Sequence, residues 1–233
     1  MAALLQVSKL SKNYGGGQAL RDVELNVQEG EIHSVIGPNG SGKTTLFNVL
    51  TRYAEPSSGV VRYKNRDLAG LKPSAVAAMG MARTFQNVLV FKQMTVLENV
   101  MVGRHPTLKA AVFHAFYRPA WVKEERISNL QKSTEIIDFC GLSQYKDALA
   151  KNLPYADQKR LEIARALATE PKLMLLDEPA AGTPTGEVED LLGLIKRINK
   201  LGVTVMLIEH KMDMVMEVSD TISVLNFGRK IAE

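Results

Sequence analysis

GPNGSGKTT, residues 37–45, fits the pattern GxxxxGK[ST] and separates a short apolar run from a segment with helical spacing. The apolar run, residues 32–36, is rich in β-branched residues and is bounded by Gly30 and Gly37, which is typical of a buried strand. Residues 44–52 carry apolar side chains at the spacing of one helix face. A strand, a glycine-rich loop and a helix in this order predict a loop that binds the phosphate groups of a nucleotide.

The chemistry predicted for this loop depends on its glycines, its lysine and its threonine. Glycine lets the backbone turn its N–H groups toward phosphate oxygens, Lys43 can reach the β- and γ-phosphates, and the Thr44 hydroxyl can bind Mg²⁺. A chance match to all four fixed positions in a chain of this length is expected in about one sequence in a hundred, given average glycine usage. The predicted phosphate-binding residues are Gly37, Pro38, Asn39, Gly40, Ser41, Gly42, Lys43, Thr44 and Thr45.

Length and composition fit one α/β domain, or one such domain with an inserted lobe. The 29 Lys and Arg residues exceed the 25 Asp and Glu residues only slightly, which suits an anionic ligand or membrane surface and is too weak to indicate nucleic acid. The single cysteine, Cys140, excludes an internal disulfide, and we expect it to be a small buried residue near a helix end. No apolar run approaches the length of a membrane span, and Gln6 and Lys9 interrupt the N-terminal apolar stretch, so no signal peptide is predicted.

Hydrophobic patterns divide the chain into strand-rich ends and a helical middle. From about residue 95 to 150, alternation gives way to helical spacing, including a helix at 120–139 that stops before Gly141. The predicted strands lie at residues 3–9, 23–27, 32–36, 60–63, 80–85, 172–177, 203–209 and 221–224, and helices are predicted at 158–169 and 186–200. Strands that alternate with helices predict a mostly parallel sheet with helices on its faces.

Polar side chains follow three of the predicted strands. Asp177 and Glu178 end a fully apolar strand, Gln86 ends another, and His210 follows a third. Because parallel strands bind ligands at their carboxyl ends, we expect these side chains to meet in one crevice beside the phosphate loop. Asp177 and Gln86 would then bind Mg²⁺. Glu178 would accept a proton from water, and His210 would donate a hydrogen bond to the γ-phosphate.

Two further features give weaker signals. Tyr14, next to three consecutive glycines, could stack on a base, although an ordinary half-buried tyrosine fits the sequence as well. Residues 104–118 mix basic and aromatic side chains, which favours a packed or partner-binding face over nucleic acid. His105 and His114 have no Cys or carboxylate at ligand spacing, so no metal site is predicted there.

The motifs resemble, in order and spacing, those of ABC-transporter ATPases. Tyr14, GPNGSGKTT, Gln86, LLDEP and His210 match the A-loop, Walker A, Q-loop, Walker B and H-loop, and residues 153–167 stand where the signature segment belongs. The phrases TLFNVLT, ARTFQN, TVLENVMVG, RLEIARALAT and LMLLDEPAAG resemble the branched-chain amino acid importer ATPases in particular. The resemblance covers essentially the whole chain and implies a P-loop NTPase fold with a mostly parallel core sheet, an antiparallel N-terminal β subdomain and an inserted helical lobe. It implies a single domain, 1–233, made of parts 1–94, 95–150 and 151–233.

The resemblance also implies a mechanism and a set of partners. Two ATPase subunits, identical or merely similar, would pack head to tail, so that each ATP lies between the Walker motifs of one subunit and the signature of the other. The catalytic residues would be Lys43, Gln86, Glu178 and His210. Mg²⁺ would be held by Thr44, Gln86 and Asp177. ATP would be bound by the phosphate loop together with Tyr14, Gln86, Asp177 and His210. Pro154, Tyr155, Ala156 and Asp157 would contact the nucleotide of the other subunit. Membrane permease subunits would contact residues 86–102, and a solute-binding protein would be an indirect partner. Nucleic acid would not be bound. The protein would work on the cytoplasmic face of a prokaryotic plasma membrane.

Some positions depart from the family pattern. The signature has Pro154 and Tyr155 in place of Ser and Gly, and Ala156 where the subfamily keeps Gly, so a methyl group there is expected to slow hydrolysis. Residues 183–185 replace the usual Leu-Asn-Pro of the D-loop, and Lys211 stands where Asp is common. The chain ends at Glu233, and we expect a C-terminal helix of the relatives to be missing.

Three alternatives remain open at this point. The cargo could be that of a related urea or amide importer, or of a lipopolysaccharide exporter, because partners select it. A GTPase would need an NKxD motif, and residues 199–202 are Asn-Lys-Leu-Gly. A DNA-associated ABC-type ATPase would need long coiled-coil heptads between Gln86 and the signature, where only a short helical segment is predicted.

Overall fold

The computed structural model describes residues 3–107 and 120–233 and groups the chain into two compact units. The first unit contains the residues up to 86 together with 172–181 and 189–233, and the second contains 87–171 and 182–188. Most of the basic and aromatic segment at 104–118, including His114, lies outside the described residues.

Two sheets form the first unit. Within the described residues, one is antiparallel with strand order β2-β1-β4-β5, and the other has the order β10-β9-β3-β8-β7-β6. The strands are β1 Ala3–Tyr14, β2 Gly17–Gln28, β3 Ile32–Ile36, β4 Ser58–Tyr63, β5 Arg66–Asp67, β6 Met81–Arg83, β7 Leu173–Asp177, β8 Thr204–Ile208, β9 Thr221–Asn226 and β10 Arg229–Ala232. In the six-stranded sheet every pair is parallel except β9 with β10, which confirms the predicted mostly parallel core and antiparallel N-terminal sheet.

The sequence pattern explains why these strands lie where they do. All five residues of β7 and of β8 are buried, as expected of apolar runs in a parallel sheet covered on both faces. Phe47 of the first helix packs in one apolar cluster with residues of both sheets, among them Leu10 and Leu175. This shared core fixes the loop that joins β3 to the helix.

The regular structure outside the strands is mostly α-helical within the described residues. They are α1 Lys43–Leu50, α2 Pro73–Ala78, α3 Val96–Gly103, α4 Ala120–Phe139, α5 Tyr155–Leu167, α6 Thr185–Lys200 and α7 Met212–Val218. None of the described helices is both long enough and apolar enough to cross a bilayer. Cys140 is buried directly after α4, as predicted.

The second unit is built on α3, α4 and α5. A capping box of Thr95 and Glu98 starts α3, and Gly103 ends it where an added Cβ would collide with the Arg165 carbonyl of α5. The two helices therefore approach at backbone distance, which only glycine permits. Because α5 packs on α3 and α4, residues 151–171 group with the helices, whereas the sequence placed the lobe boundary at residue 150.

Candidate active site

The phosphate loop runs from the end of β3 to the start of α1. Gly42 precedes the helix with φ 105°, and an added Cβ would lie 2.6 Å from the Ala19 carbonyl oxygen, so no other residue fits without strain. Two neighbouring segments hold the loop by backbone hydrogen bonds: the Gly228 N–H donates to the Ser41 carbonyl (3.0 Å), and the Arg21 N–H donates to the Gly228 carbonyl (2.7 Å). The loop is thus fixed by the β2 strand and the β9–β10 turn.

Lys43 turns back onto this loop. Its Nζ donates to the carbonyl oxygens of Gly37 at 2.7 Å and Pro38 at 3.0 Å, and only 6% of the residue is exposed. Burial lowers the pKa of the Lys43 ammonium, while the charges of Glu178 and Asp177 raise it. The Lys43 ammonium is therefore under the influence of both strand-end carboxylates.

The Ser41 hydroxyl shows that the loop fits an anion. It is fully buried, and within the described part of the chain it has no hydrogen-bond partner. A buried hydroxyl without a partner is costly, and a phosphate oxygen would satisfy it. Thr44 is exposed at the start of α1, so its own hydroxyl is accessible to a ligand.

Glu178 is the centre of the strand-end group. β7 and β8 pair with Asp177 opposite Ile208, so the residues that follow leave the sheet at the same edge. The Glu178 carboxylate accepts from Gln86 Nε2 at 3.1 Å and from His210 Nε2 at 2.7 Å. Three side chains from three strand ends therefore meet, as the sequence predicted. Glu178 itself has φ 50°, an uncommon backbone conformation for a residue with a side chain and one that often marks functional sites.

Asp177 lies deeper than its neighbour and has a partner that the sequence did not reveal. Its Oδ2 accepts from Arg83 Nη2 at 3.0 Å, and the two side chains are only 2% and 5% exposed. Burial raises the pKa of the Asp177 carboxyl, and the hydrogen bond from Arg83 opposes this. Arg83 also donates to Asn48 Oδ1 at 2.7 Å and to Thr51 Oγ1 at 3.3 Å, so it joins β6, β7 and α1.

Glu209 is a second residue that the sequence analysis left without a role. Its carboxylate is buried and accepts hydrogen bonds from the backbone N–H groups of Ala180 and His210. No pattern in the sequence could distinguish it from an ordinary strand-end acid, because both partners are backbone groups.

The residues present fit Mg²⁺ as well as phosphate. Hard divalent cations of this size bind few protein carboxylates and take the remaining ligands from phosphates and water. Among the described residues no cluster of three or more His, Cys, Asp or Glu could hold a metal ion alone, and the Thr44 hydroxyl and the Asp177 carboxylate are oxygen donors of the required kind.

Tyr14 and the signature segment lie outside this cluster of contacts. Half of Tyr14 is exposed at the end of β1, and Lys12 Nζ lies 4.7 Å from the centre of its ring. In the second unit, Pro154 caps α5 without a side-chain hydrogen bond, Ala156 is buried in its first turn, and Asp157 pairs with Arg160 at 3.5 Å. The nucleotide contacts of these residues stay predictions.

Comparison with known proteins supports the same assignment. The family model described as ABC transporter matches residues 20–181. The chain belongs to the ABC transporter family. Over 230 residues, covering 98% of this chain and 90% of the relative, the ABC ATPase is 41% identical to the high-affinity branched-chain amino acid transport ATP-binding protein LivG of Salmonella typhimurium.

Two solved structures agree with the fold of the ABC ATPase. The ADP conformation of MJ1267, an ATP-binding cassette of an ABC transporter, has a TM-score of 0.86 and 34% identity, with 100% of this chain and 91% of that chain covered. The dimeric post-hydrolysis state of the cassette MJ0796, bound to ADP and Pi, has a TM-score of 0.82 and 26% identity, with coverage of 98% and 97%. These comparisons confirm the predicted fold, the family and the ATPase activity.

Proposed function

We propose that this ABC ATPase supplies the energy for branched-chain amino acid import. The observation that carries the catalytic part is the meeting of Gln86 and His210 on the Glu178 carboxylate, beside a phosphate loop with a buried lysine. The cargo follows from the similarity to LivG over nearly the whole chain. The subunit would act at the cytoplasmic face of the membrane, together with permease subunits and a solute-binding protein.

In the proposed reaction a water oxygen attacks the γ-phosphorus of ATP, the bond from that phosphorus to the β–γ bridging oxygen breaks, and ADP leaves. Glu178 accepts the proton of the attacking water, and His210 keeps its carboxylate in place. Lys43 and the N–H groups of the loop neutralise the charge that spreads over the phosphoryl oxygens. Thr44, Asp177 and Gln86 would hold Mg²⁺, which supplies further neutralisation of the phosphate charge when bound.

The active form would be a head-to-tail pair of ATPase subunits. The cassette MJ0796 forms a dimer, and this chain resembles it over 98% of its length. In such a pair Pro154, Tyr155, Ala156 and Asp157 would approach the nucleotide held by the Walker motifs of the other subunit. The partner would be a second copy of this chain or a similar ATPase subunit, and in either case a P-loop ATPase with bound ATP.

Replacement of Glu178 by Gln tests the catalytic assignment. The amide keeps the shape and cannot accept a proton, so we expect Mg-ATP to bind with unchanged affinity while phosphate release falls by more than about 100-fold. The matched control is Glu24→Gln, an exposed position on β2. Undiminished phosphate release by Glu178→Gln would overturn the assignment of Glu178 as the base.

Binding of ATP should also stabilise the folded protein. At about a hundred times its Kd, ATP should raise the free energy of unfolding by roughly 2.7 kcal/mol.

Transport measurements test the cargo. The ATPase is co-expressed with candidate permease subunits, the complexes are purified and placed in vesicles, and ATP-dependent entry of labelled leucine is followed. We expect uptake that isoleucine and valine inhibit and that urea leaves unchanged. Uptake of urea or amides instead, or export of lipopolysaccharide, would leave the ATPase mechanism intact and overturn the cargo.

A further inference from the structure

The Glu209 carboxylate is buried at the end of β8, directly before His210. Only 3% of the residue is exposed. A carboxylate removed from water is costly unless its oxygens accept hydrogen bonds, so its partners reveal what it does in the fold.

Each oxygen of this carboxylate accepts from a different backbone segment. Oε1 accepts from the Ala180 N–H at 2.8 Å, and Oε2 accepts from the N–H of His210 at 3.0 Å. Ala180 belongs to the turn after β7, which the hydrogen bond from the Ala181 N–H to the Glu178 carbonyl closes at 3.1 Å. One side chain therefore ties the turn that begins with Glu178 to the backbone that presents His210.

Such a tie matters because the Glu178 backbone is in a conformation that needs support. A residue with a side chain stays at φ 50° only when its surroundings hold it there. The ladder between β7 and β8 contributes one contact, from the Glu178 N–H to the Ile208 carbonyl at 2.9 Å. Beyond that point the sheet has ended, and the Glu209 carboxylate continues the connection.

We propose that Glu209 is a positioning residue that holds the Glu178 carboxylate and the His210 ring in register. The inference rests on the catalytic roles proposed above for Glu178 and His210. Glu209 bonds to neither of their side chains and acts through the backbone, so the 2.7 Å contact between Glu178 Oε1 and His210 Nε2 depends on it. A misplacement of about 1 Å in a catalytic group can cost up to about 100-fold in rate.

Replacement of Glu209 by Gln changes one acceptor into a donor while keeping the size of the side chain. The amide nitrogen would face a backbone N–H, so one of the two hydrogen bonds is lost. We expect kcat to fall roughly 10- to 100-fold. The Kd for ATP should change by less than about twofold, because the hydrogen bonds of Glu209 go to Ala180 and His210 and not to the phosphate loop. The control Glu217→Gln, an exposed acid paired with Lys196, should leave both constants unchanged.

A spectroscopic measurement separates positioning from a general loss of structure. The chain has four histidines, so the ring nitrogen resonances of ¹⁵N-histidine-labelled protein can be assigned by substitution. In Glu209→Gln the His210 Nε2 resonance should lose the shift of a nitrogen bonded to a carboxylate. The resonances of His33, which is buried in β3 and bonded to Glu31 and Ser223, should stay in place.

Either an unchanged His210 resonance or an unchanged kcat in Glu209→Gln would overturn the proposal, as would equal displacement of the His33 and His210 resonances. Should Glu209→Gln fail to fold, Glu209→Asp gives the same test, because the shorter side chain can reach only one of the two N–H groups and the same fall in kcat is expected. If Glu178→Gln retains full activity, the base assignment fails, and the His210 resonance still decides the positioning role.

Discussion

Replacement of Arg83 by Met removes a buried cation that faces Asp177. The methionine side chain fills most of the volume of the arginine stem, so the main change is electrostatic. Arg83 is 5% exposed and Asp177 is 2% exposed, and their N–O distance is 3.0 Å. In Arg83→Met the Asp177 carboxylate stays in the interior without its guanidinium partner.

The expected loss of stability is large because the pair is buried. Removing one partner of a buried ion pair costs about 3 to 5 kcal/mol, far more than the pair itself contributes, since the remaining charge is stranded. For a chain of this length a loss of about 3 kcal/mol lowers the Tm by roughly 6 to 12 °C. Arg83 also loses its hydrogen bonds to Asn48 and Thr51, which places the loss at the upper end of that range.

The pH dependence of the stability shows whether the unpaired Asp177 charge causes the loss in Arg83→Met. Burial already raises the pKa of Asp177 in the folded protein, and loss of Arg83 raises it further. An acid whose folded-state pKa lies above its unfolded value binds more protons in the folded state, so stability falls as the pH rises between the two values. The deficit of Arg83→Met should therefore be largest at neutral pH and shrink as the pH is lowered toward the raised pKa.

Thermal and urea unfolding of the nucleotide-free protein at pH 7.5 and pH 5.5 measure this effect. The control is Arg62→Met, an exposed arginine on β4, for which we expect almost no change. Adding Asp177→Asn to Arg83→Met should recover roughly half of the lost stability, because the stranded charge is gone. A loss below about 1 kcal/mol, or a deficit in the double variant as large as in Arg83→Met alone, would refute the electrostatic explanation.

Two further predictions concern the loop and the signature. Lys43→Ala should weaken ATP binding by roughly 100-fold in calorimetric titrations, because a desolvated charge contact to phosphate is lost; unchanged affinity would contradict the loop assignment. Ala156→Gly should lower stability by up to about 1 kcal/mol in urea unfolding without raising the ATPase rate, because Ala156 is a buried helical residue; a rate increase of several-fold would instead show that the methyl group obstructs the nucleotide.

The parts of the fold that depend on local sequence could be predicted. β7 and β8 are continuous apolar runs that end in charged residues, and a parallel sheet brings such ends to one edge. The glycines of the phosphate loop meet its backbone requirements, since at Gly42 an added Cβ would lie 2.6 Å from the Ala19 carbonyl oxygen. These features need no information from distant residues.

The first hairpin was harder to predict because it is irregular. β1 and β2 each have 12 residues, against the shorter predicted segments 3–9 and 23–27. The register shifts after Val7, and Lys9 and Asp22 adopt positive φ, so the side-chain alternation on which the prediction relied changes phase within each strand. A pattern with a period of two therefore detects only the first part of β1 and the last part of β2.

The signature helix begins three residues earlier than predicted and includes Ala156. From the sequence, the helix was predicted to start at 158, and the methyl group of Ala156, where the subfamily keeps Gly, was expected to slow hydrolysis. In the structure α5 begins at Tyr155, immediately after Pro154, whose fixed φ suits the N-cap region. Ala156 therefore has ordinary helical backbone geometry, and its methyl group is buried in the second unit.

Arg83 and Glu209 could not have been found from the sequence, and the reason is the same for both. The side chains named by the motifs are those that would touch a ligand, and their residue types follow from the chemistry of phosphate, metal and water. Arg83 is tied to a residue 94 positions away, and Glu209 is tied to a backbone group 29 positions away. Their roles arise only when the sheet places these positions side by side. A buried charge at a strand end must have partners that compensate for its burial, and in this site the partners of Arg83 and Glu209 are Asp177 and the backbone beside Glu178 and His210.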